Sequence, residues 1–406
     1  MIRLLVLAAW CAIAGGAVER GNAVERGNYD AFHYAVTLTI DLPGQLVRGD
    51  VVVSVRGVGD PSTQVELDAG PALKVIAVLE NGRAVAFDRE AKLLRIRPEV
   101  ALAAGVVRRF RIQYEAGADS GLRFFPDQIY TAYFTNHWLP CNDQPDAPAT
   151  LSLRVKAPPG WKGIGSRQLT RPTVPFVFGF AVGRFDESVE RVGKTRLRYL
   201  SCGKDRTDVE RTFKPSPAIL RFLEDKTGTP YPGDAYGQVL VRGKEQQEAA
   251  GFALLSEPGT WLLAHEMAHQ WFAVGIHCDG WTHFWLNEGM ATFLAAAFAE
   301  QYEGRAAYVA HIERAHAIYE KAVAEGKDLP LAAPGLKTRV ISYNKGAWVL
   351  HLLREELGDR AFWDGLRLYT RARMGHAAAS RDLQVAMEQA SGKDLGAFFH
   401  RWVYVP

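Results

Sequence analysis

Cysteine is scarce in this sequence, with four cysteines among 406 residues and no pair at C-x-x-C spacing. This scarcity argues against a zinc site built from cysteines. Charge of one sign is also lacking, because 48 Lys and Arg residues stand against 45 Asp and Glu residues. Without a basic run that could follow a phosphate backbone, the sequence gives no support to nucleic-acid binding.

The amino terminus lacks an apolar run long enough to span a bilayer, since residues 4–14 fall short of the roughly 20 residues required. Met-Ile-Arg precedes this run, and small residues follow it at 14–17. A charged start, a short apolar centre and a small-residue exit are typical of a signal peptide. We therefore predict a signal peptide at residues 1–17, export to the periplasm or the extracellular space, and no stable membrane span.

Three cysteines lie beyond this segment, Cys141, Cys202 and Cys278. An exported protein meets an oxidising compartment, in which cysteines pair. An odd number allows at most one disulfide here, and the sequence leaves the pairing open.

The chain changes character near residue 203. Residues 18–28, within a duplicated AVERGN, are typical of a flexible spacer, and residues 29–203 carry alternating strand patterns separated by Gly, Pro, Asp and Asn. Residues 204–406 combine short strands with helical periodicity. The sequence therefore predicts an all-β domain followed by an α+β domain. In the second domain we expect strands at 236–241 and 251–255 and helices at 209–223, 284–301, 305–324, 343–357 and 359–373.

The stretch HEMAHQWF, residues 265–272, places two histidines four positions apart with a glutamate beside the first. On a helix such residues point the same way, so His265 and His269 can present imidazole nitrogens to one point. Glu266 is rotated from them but can reach a water bound there. Taken alone, the motif is either a pair of zinc ligands with a general base or three polar residues on an ordinary helix.

The apolar flanks of the motif and a downstream glutamate favour the metal site. Burying two histidines and a glutamate without partners costs several kcal/mol, whereas a metal ion satisfies them. Catalytic zinc needs a third protein ligand, and Glu288 follows His269 by nineteen positions in FWLNEGMATF. The sequence therefore predicts one zinc ion per chain bound by His265, His269 and Glu288, with Glu266 as the general base.

These motifs resemble those of the zinc aminopeptidases of the aminopeptidase N and leukotriene hydrolase type, a group of gluzincins. HEMAHQWF followed by WTHFWLNEGMATF is similar to the central signature of that family. The resemblance extends over residues 28–406 through WLPCNDQPDAPATLSLRV, TGTPYPGDAYGQVLV, ISYNKGAWVL and FFHRWVYVP. It implies a multidomain fold, in which an N-terminal all-β, saddle-like domain packs on an α+β, thermolysin-like zinc metallopeptidase domain.

The resemblance also implies roles for single residues. Tyr343, in the Y-x-K-G match, would donate a hydrogen bond to the oxyanion formed during peptide hydrolysis. Glu248 matches the glutamate that holds the free amine of the substrate, although its two neighbours differ from the family's Met and Asn. For a second amine-binding position two alternatives stay open, Gln128 and Thr131. The sequence ends at Pro406, so the resemblance implies a short form without the family's C-terminal helical domain, and we expect an open cleft that admits longer peptides.

Three functional hypotheses follow. The leading one is a secreted zinc metallopeptidase, an aminopeptidase that removes N-terminal residues from peptides. A second keeps the zinc chemistry but cuts internally or acts on another electrophile, because the frame of the amine anchor is altered. A third is a binding protein on an inactive peptidase fold, against which the complete set of ligands, base and tyrosine argues.

Overall fold

The structure is a computed structural model that describes residues 27–333 and 339–406. The predicted signal peptide at 1–17 and residues 18–26 of the predicted spacer lie outside the described residues. Those two predictions therefore stay predictions.

The amino-terminal part consists of strands joined by turns, as the alternating sequence predicts. In β2, for example, Val51, Val53 and Val55 are fully buried while the residues between them are less so, because successive side chains point to opposite faces of a sheet. The strands are β1 Tyr29–Asp41, β2 Leu46–Gly57, β3 Val65–Asp68, β4 Leu73–Glu80, β5 Arg83–Ala84, β6 Ala86–Glu90, β7 Leu93–Arg97, β8 Val107–Gly117, β9 Leu122–Phe124, β10 Gln128–Thr131, β11 Ala149–Lys156, β12 Lys162–Gly165, β13 Gln168–Thr173 and β14 Phe180–Gly183.

These strands form three sheets. The largest has the order β13-β11-β1-β2-β8-β4-β5, and smaller sheets have the orders β12-β14-β10-β9 and β3-β7-β6. Neighbouring strands run antiparallel apart from the parallel pair β1 and β11. The prediction of an all-β amino-terminal part is confirmed.

A mixed sheet follows and continues into the second half of the chain. Its strands are β15 Asp186–Val192, β16 Thr195–Ser201, β17 Ala235–Leu240, β18 Gln246–Ala249 and β19 Phe252–Leu255. Their order is β15-β16-β17-β19-β18, with β16, β17 and β19 parallel to one another. The predicted boundary between residues 203 and 204 stays a prediction, but it separates β15 and β16 from the sheet to which they belong.

Helices dominate the rest of the chain and confirm the α+β character. They are α1 Arg206–Phe213, α2 Ser216–Thr227, α3 Thr260–Ala268, α4 Trp285–Glu303, α5 Arg305–Ala324, α6 Gly346–Leu357, α7 Asp359–Arg373, α8 Ser380–Ser391 and α9 Gly396–Phe399. A π-helical turn, Ile341–Lys345, leads into α6, a second, His400–Tyr404, follows α9, and the short strands β20 His277–Cys278 and β21 Ala377–Ala378 pair in parallel.

The single helix predicted at 209–223 is wrong, because α1 and α2 are separate helices. Pro215 stands between them and Pro217 in the first turn of α2. Proline has no N–H to donate and its ring collides with the preceding turn, so a helix continues through it only with a kink or break. The apolar periodicity on both sides hid this interruption.

The two halves of the chain share a hydrophobic cluster. Tyr130, Ile164 and Phe185 from the β part pack with Val239 and Phe252 of the mixed sheet. Within the helical part, α4 is buried from Trp285 to Ala299, and a helix that is apolar all round belongs in the middle of a core. This packing places α3 and α4 side by side.

Cys141, Cys202 and Cys278 are all buried. Among the helices of residues 27–333 and 339–406, none has both the length and the apolar character that a bilayer crossing requires.

Candidate active site

The two histidines of HEMAHQWF meet at one point, as helical spacing predicts. His265 lies in α3 and His269 caps it, and their Nε2 atoms are 3.1 Å apart. The Nδ1 of His269 lies 3.0 Å from the carbonyl oxygen of Phe272. A carbonyl oxygen only accepts, so Nδ1 carries a proton, and Nε2 is the ring nitrogen that faces the cluster. The second ring nitrogen of His269 is therefore placed to bind a metal ion.

Glu288 completes the cluster from the first turn of α4. Its Oε2 lies 3.6 Å from His265 Nε2 and 3.5 Å from His269 Nε2. This oxygen is buried and has no hydrogen-bond partner among the residues that the structure describes. Two imidazole nitrogens and one carboxylate oxygen are the donor set of a catalytic zinc site, with a fourth position left for water or substrate. The three residues fit a zinc ion.

Burial and mutual charge both act on this cluster. Burial lowers the pKa of His265 to about 4. Burial opposes the charged form of His269 as well, but the carboxylates of Glu288 and Glu248 outweigh it and raise the pKa of His269 to about 10. Burial likewise opposes the charged form of Glu288, yet His269 and His265 lower its pKa. In the absence of a cation the cluster thus keeps a proton, and a metal ion takes the place of that proton on binding.

Glu266 lies beside the ligand cluster. Its carboxylate, that of Glu248 and a ring nitrogen of His269 lie within 4.8 Å of one another. Glu266 Oε2 is buried and has no hydrogen-bond partner within residues 27–333 and 339–406, and burial raises the pKa of Glu266 well above its usual value. A carboxylate with a free oxygen and a raised pKa suits proton transfer near neutral pH.

Tyr343 reaches the cluster from the π-helical turn Ile341–Lys345. Its ring stacks on the imidazole of His265 with centroids 5.8 Å apart, and the indole of Trp261 stacks on the same imidazole at 4.9 Å. Burial and the charge of Glu288 raise the pKa of Tyr343 well above its usual value. The phenol therefore stays protonated and can act as a hydrogen-bond donor. π-Helical turns within helices occur often at functional sites.

Two glycines set how closely Tyr343 approaches the ligands. A Cβ added to Gly289 would lie 2.9 Å from the Cα of Gly346, and one added to Gly346 would lie 2.9 Å from the Cα of Gly289. Gly289 follows the candidate ligand Glu288, and Gly346 comes three residues after Tyr343. The helix that carries the third ligand and the helix that carries the tyrosine therefore touch backbone to backbone beside the site.

Comparison with known proteins agrees with this arrangement. The family described as "Peptidase family M1 domain" matches residues 257–402, which contain the three candidate ligands, Glu266 and Tyr343. Residues 257–402 are therefore similar to the domain of M1 peptidases.

The curated proteins that the chain is similar to are distant in sequence and longer. Aminopeptidase N of Lactococcus lactis subsp. lactis is 23% identical over 330 residues, which are 69% of this chain and 38% of that protein. Aminopeptidase M1-A of Oryza sativa subsp. japonica is 30% identical over 309 residues, 65% of this chain and 35% of that protein. The chain spans about two fifths of the length of the curated relatives that it matches.

Solved M1 structures share the fold over almost the whole chain. The M1 zinc metallopeptidase of Deinococcus radiodurans matches with a TM-score of 0.80 at 24% identity, over 93% of this chain and 94% of that one. A mutant of that protein gives a TM-score of 0.78 at 25% identity over the same shares. The predicted fold of an N-terminal β domain joined to a zinc metallopeptidase domain is confirmed.

The segment that carries Glu248 is connected by hydrogen bonds to the helix that bears His265. Gln270, the residue after His269, accepts a hydrogen bond at Oε1 from the N–H of Gly251 at 3.0 Å. Its Nε2 donates to the carbonyl oxygen of Ala249, also at 3.0 Å. Since these two groups flank the turn between β18 and β19, Glu248 is fixed relative to His269.

Gln128 and Thr131, the two alternatives for a second amine-binding residue, are engaged in the fold. Gln128 Oε1 accepts from the N–H of Arg242 at 3.1 Å, and Thr131 Oγ1 accepts from the N–H of Phe180 at 3.0 Å. Neither contact involves the histidine cluster. The predicted role of Gln128 thus stays a prediction that its contacts do not support.

Three residues near the cluster were not predicted from the sequence. Gln270 had a signal, because it is polar within the otherwise apolar flank of HEMAHQWF. Tyr133, at a positive φ of 56°, had none. Its N–H donates to Gln247 Oε1 at 2.5 Å, and burial, followed by the charge of Glu266, raises the pKa of its phenol. Arg339, the third, lies four residues before Tyr343 and donates to its hydroxyl oxygen.

Proposed function

We propose that the chain is a zinc-dependent aminopeptidase that hydrolyses peptides at their amino terminus. The observation that carries this proposal is the convergence of different chemical groups on one buried point. The ligand set of His265, His269 and Glu288 is accompanied by a carboxylate with a free oxygen, Glu266, and a protonated phenol, Tyr343. A protein that only binds peptides has no need of a poised base beside a metal site.

The residues divide the work of hydrolysis among them. His265, His269 and Glu288 would hold the zinc ion, which when bound polarises the scissile carbonyl and lowers the pKa of a bound water to about 7. Glu266 Oε2 takes the proton of the attacking water and delivers it to the nitrogen of the leaving amine. Tyr343 donates its O–H to the carbonyl oxygen as negative charge grows there.

Glu248 determines which peptide bond of the substrate is cleaved. Its carboxylate lies with Glu266 and His269 within 4.8 Å, next to the point of attack. A protonated amino terminus that pairs with Glu248 brings the first peptide bond, and no later one, to the zinc site. The solved Deinococcus radiodurans M1 zinc metallopeptidase with a Tyr-Ser-Ala substrate supports a peptide as the ligand class.

The experiment compares matched peptides with a free and an N-acetylated amino terminus, using protein of measured zinc content. We expect the free peptide to be cleaved and the acetylated one to be cleaved far more slowly, because acetylation removes the charge that Glu248 binds. Glu266→Gln should abolish cleavage of both, whereas Glu248→Gln should mainly raise KM for the free peptide.

Each of the other outcomes would favour a different function for this protein. Equal cleavage of both peptides would contradict the aminopeptidase proposal and favour an endopeptidase or another zinc hydrolase. No cleavage by zinc-loaded wild type across a broad peptide panel would favour a binding protein on an inactive fold.

We also propose that the protein is exported, on the strength of the signal-peptide order of residues 1–17. Amino-terminal sequencing of the material recovered outside the cytoplasm tests this proposal. A mature chain that begins near residue 15 or 18 is expected, and one that begins at Met1 would contradict it.

A further inference from the structure

Arg339 is a cation at the active site that the proposed function does not yet use. Its Nη2 donates a hydrogen bond to the hydroxyl oxygen of Tyr343 at 2.9 Å. The guanidinium carbon also lies 5.0 Å from the centroid of the Tyr343 ring. Arg339 and Tyr343 are four residues apart in one helical stretch, where side chains face each other.

The hydrogen bond with Arg339 dictates where the proton of Tyr343 points. A guanidinium has donors only, so in this contact the phenol oxygen is the acceptor. The phenol's own proton must therefore point away from Arg339. Because the ring stacks on the imidazole of His265, a proton directed away from Arg339 is available to a group bound at the ligand cluster.

Arg339 has no other strong partner in the part of the chain that the structure describes. Within residues 27–333 and 339–406, no carboxylate lies within ion-pair distance of its guanidinium. Burial is the largest influence on the pKa of Tyr343, followed by the charge of Glu288, which raises it, and that of Arg339, which lowers it. The positive charge of Arg339 therefore acts directly on the phenol of Tyr343.

We propose that Arg339 is a positioning residue, which holds the hydroxyl of Tyr343 with its proton directed at the substrate carbonyl and strengthens it as a hydrogen-bond donor. A hydrogen bond received by the phenol oxygen polarises its O–H, because bonds in a chain reinforce one another. The cation is also placed to favour the negative charge that develops on the carbonyl oxygen. The inference rests on the proposed function, in which Tyr343 stabilises that oxyanion.

A different role would use the same arginine to bind the substrate directly. Arg pairs well with carboxylates, so Arg339 in direct contact with substrate would favour peptides with a free carboxyl terminus. The two roles predict different kinetics. Positioning acts through Tyr343 and affects kcat, whereas carboxylate binding acts on KM and survives the removal of the tyrosine hydroxyl.

The test is a double-mutant cycle on zinc-loaded protein with wild type, Arg339→Met, Tyr343→Phe and the double variant. The substrates are trialanine and its carboxyl-terminal amide. We expect Tyr343→Phe to lower kcat about 10²-fold, the usual loss for an oxyanion donor. Arg339→Met should lower kcat by about tenfold with little change in KM, and should add less than about twofold once Tyr343 is phenylalanine.

Variants at the same position separate charge from hydrogen bonding and protect the test against misfolding. Arg339→Lys keeps the charge and a donor, so it should retain more of kcat than Arg339→Gln, which keeps a donor alone. Arg206→Met is a matched control, because Arg206 lies on α1 with its side chain 86% exposed and pairs with Glu210. It should leave kcat, KM, zinc content and the thermal midpoint unchanged.

Three results would overturn the inference. An equal loss from Arg339→Met in both backgrounds would show that Arg339 acts independently of Tyr343. A KM that rises for trialanine but not for its amide would make Arg339 a carboxylate-binding residue. A Tyr343→Phe variant with wild-type kcat would leave nothing to position, while cleavage by the wild type itself would still support the proposed function.

Discussion

The substitution Gln270→Leu tests the connection between the zinc-site helix and the segment that bears Glu248. Leucine has a similar size but cannot bond to the N–H of Gly251 or to the carbonyl oxygen of Ala249. Each bond is 3.0 Å long, and Gln270 is buried at 1% exposure. A buried backbone group left without a partner costs about 1–3 kcal/mol. The N–H of Gly251 loses its partner, whereas Ala249 remains paired with Phe252 across the hairpin, so the expected loss is about 1–3 kcal/mol in the free energy of unfolding.

Gln238 on β17 supplies a matched control. It is also a buried glutamine, but within the described residues neither atom of its side-chain amide has a hydrogen-bond partner. Replacing an unpaired buried amide with an apolar group removes a desolvation cost and breaks no bond. Gln238→Leu is therefore expected to leave the free energy of unfolding unchanged or to raise it.

Urea unfolding followed by tryptophan fluorescence, at fixed zinc concentration, compares the two variants. Peptide kinetics add a second measurement, since a displaced Glu248 should raise KM for peptides with a free amino terminus more than it lowers kcat. If Gln270→Leu and Gln238→Leu changed the free energy of unfolding equally, the hydrogen bonds of Gln270 would not be what holds this segment.

Further predictions concern the catalytic base, the metal and the turn that carries Tyr343. Glu266→Gln should lower kcat by at least about 10²-fold while zinc content, measured by metal analysis, stays at one per chain. Free zinc at about 1,000 times its dissociation constant should add about 4 kcal/mol to the free energy of unfolding, so a chelator should lower the thermal midpoint of wild type but not that of His269→Ala. Lys345 is fully buried and donates to Asp328 Oδ1 at 2.9 Å and to the carbonyl oxygen of Leu329 at 2.8 Å. Lys345→Met should therefore lower the free energy of unfolding in urea by about 3–5 kcal/mol, because it leaves the Asp328 carboxylate without its partner. An unchanged unfolding midpoint would contradict this prediction.

The clustering of His265, His269 and Glu288 could be predicted from the sequence because local geometry places these residues. The spacing of His265 and His269 fixes their relation once the segment is helical, and burial makes an unpaired Glu288 costly. Tyr343 required the family resemblance, since a tyrosine near the start of an apolar helix is otherwise unremarkable. These predictions depend on contacts that are either short-range in sequence or carried by a known motif.

The predicted domain boundary and the predicted role of Gln128 depend on pairing between distant segments, whereas the single helix predicted at 209–223 failed for a local reason, the prolines Pro215 and Pro217. Strand β16 has the same alternating pattern whichever sheet it joins, so its parallel pairing with β17 is not visible in its own residues. Gln128 aligned only loosely with a family position, and its amide instead bonds to the backbone of Arg242, more than a hundred residues away. The contacts of Arg339 and Gln270 likewise depend on how strands and helices pack around the ligands.

The contact between Gly289 and Gly346 is a point at which a substitution during evolution can alter the site. The distance between Glu288 and Tyr343 depends on this contact, in which each residue has only a hydrogen atom as its side chain. A methyl group added at either glycine would push the two helices apart and widen the site. Loss of reactivity could then come from a residue that touches neither metal nor substrate. Engineering that seeks a broader substrate range should vary the walls of the cleft and leave this spacer of two glycines intact.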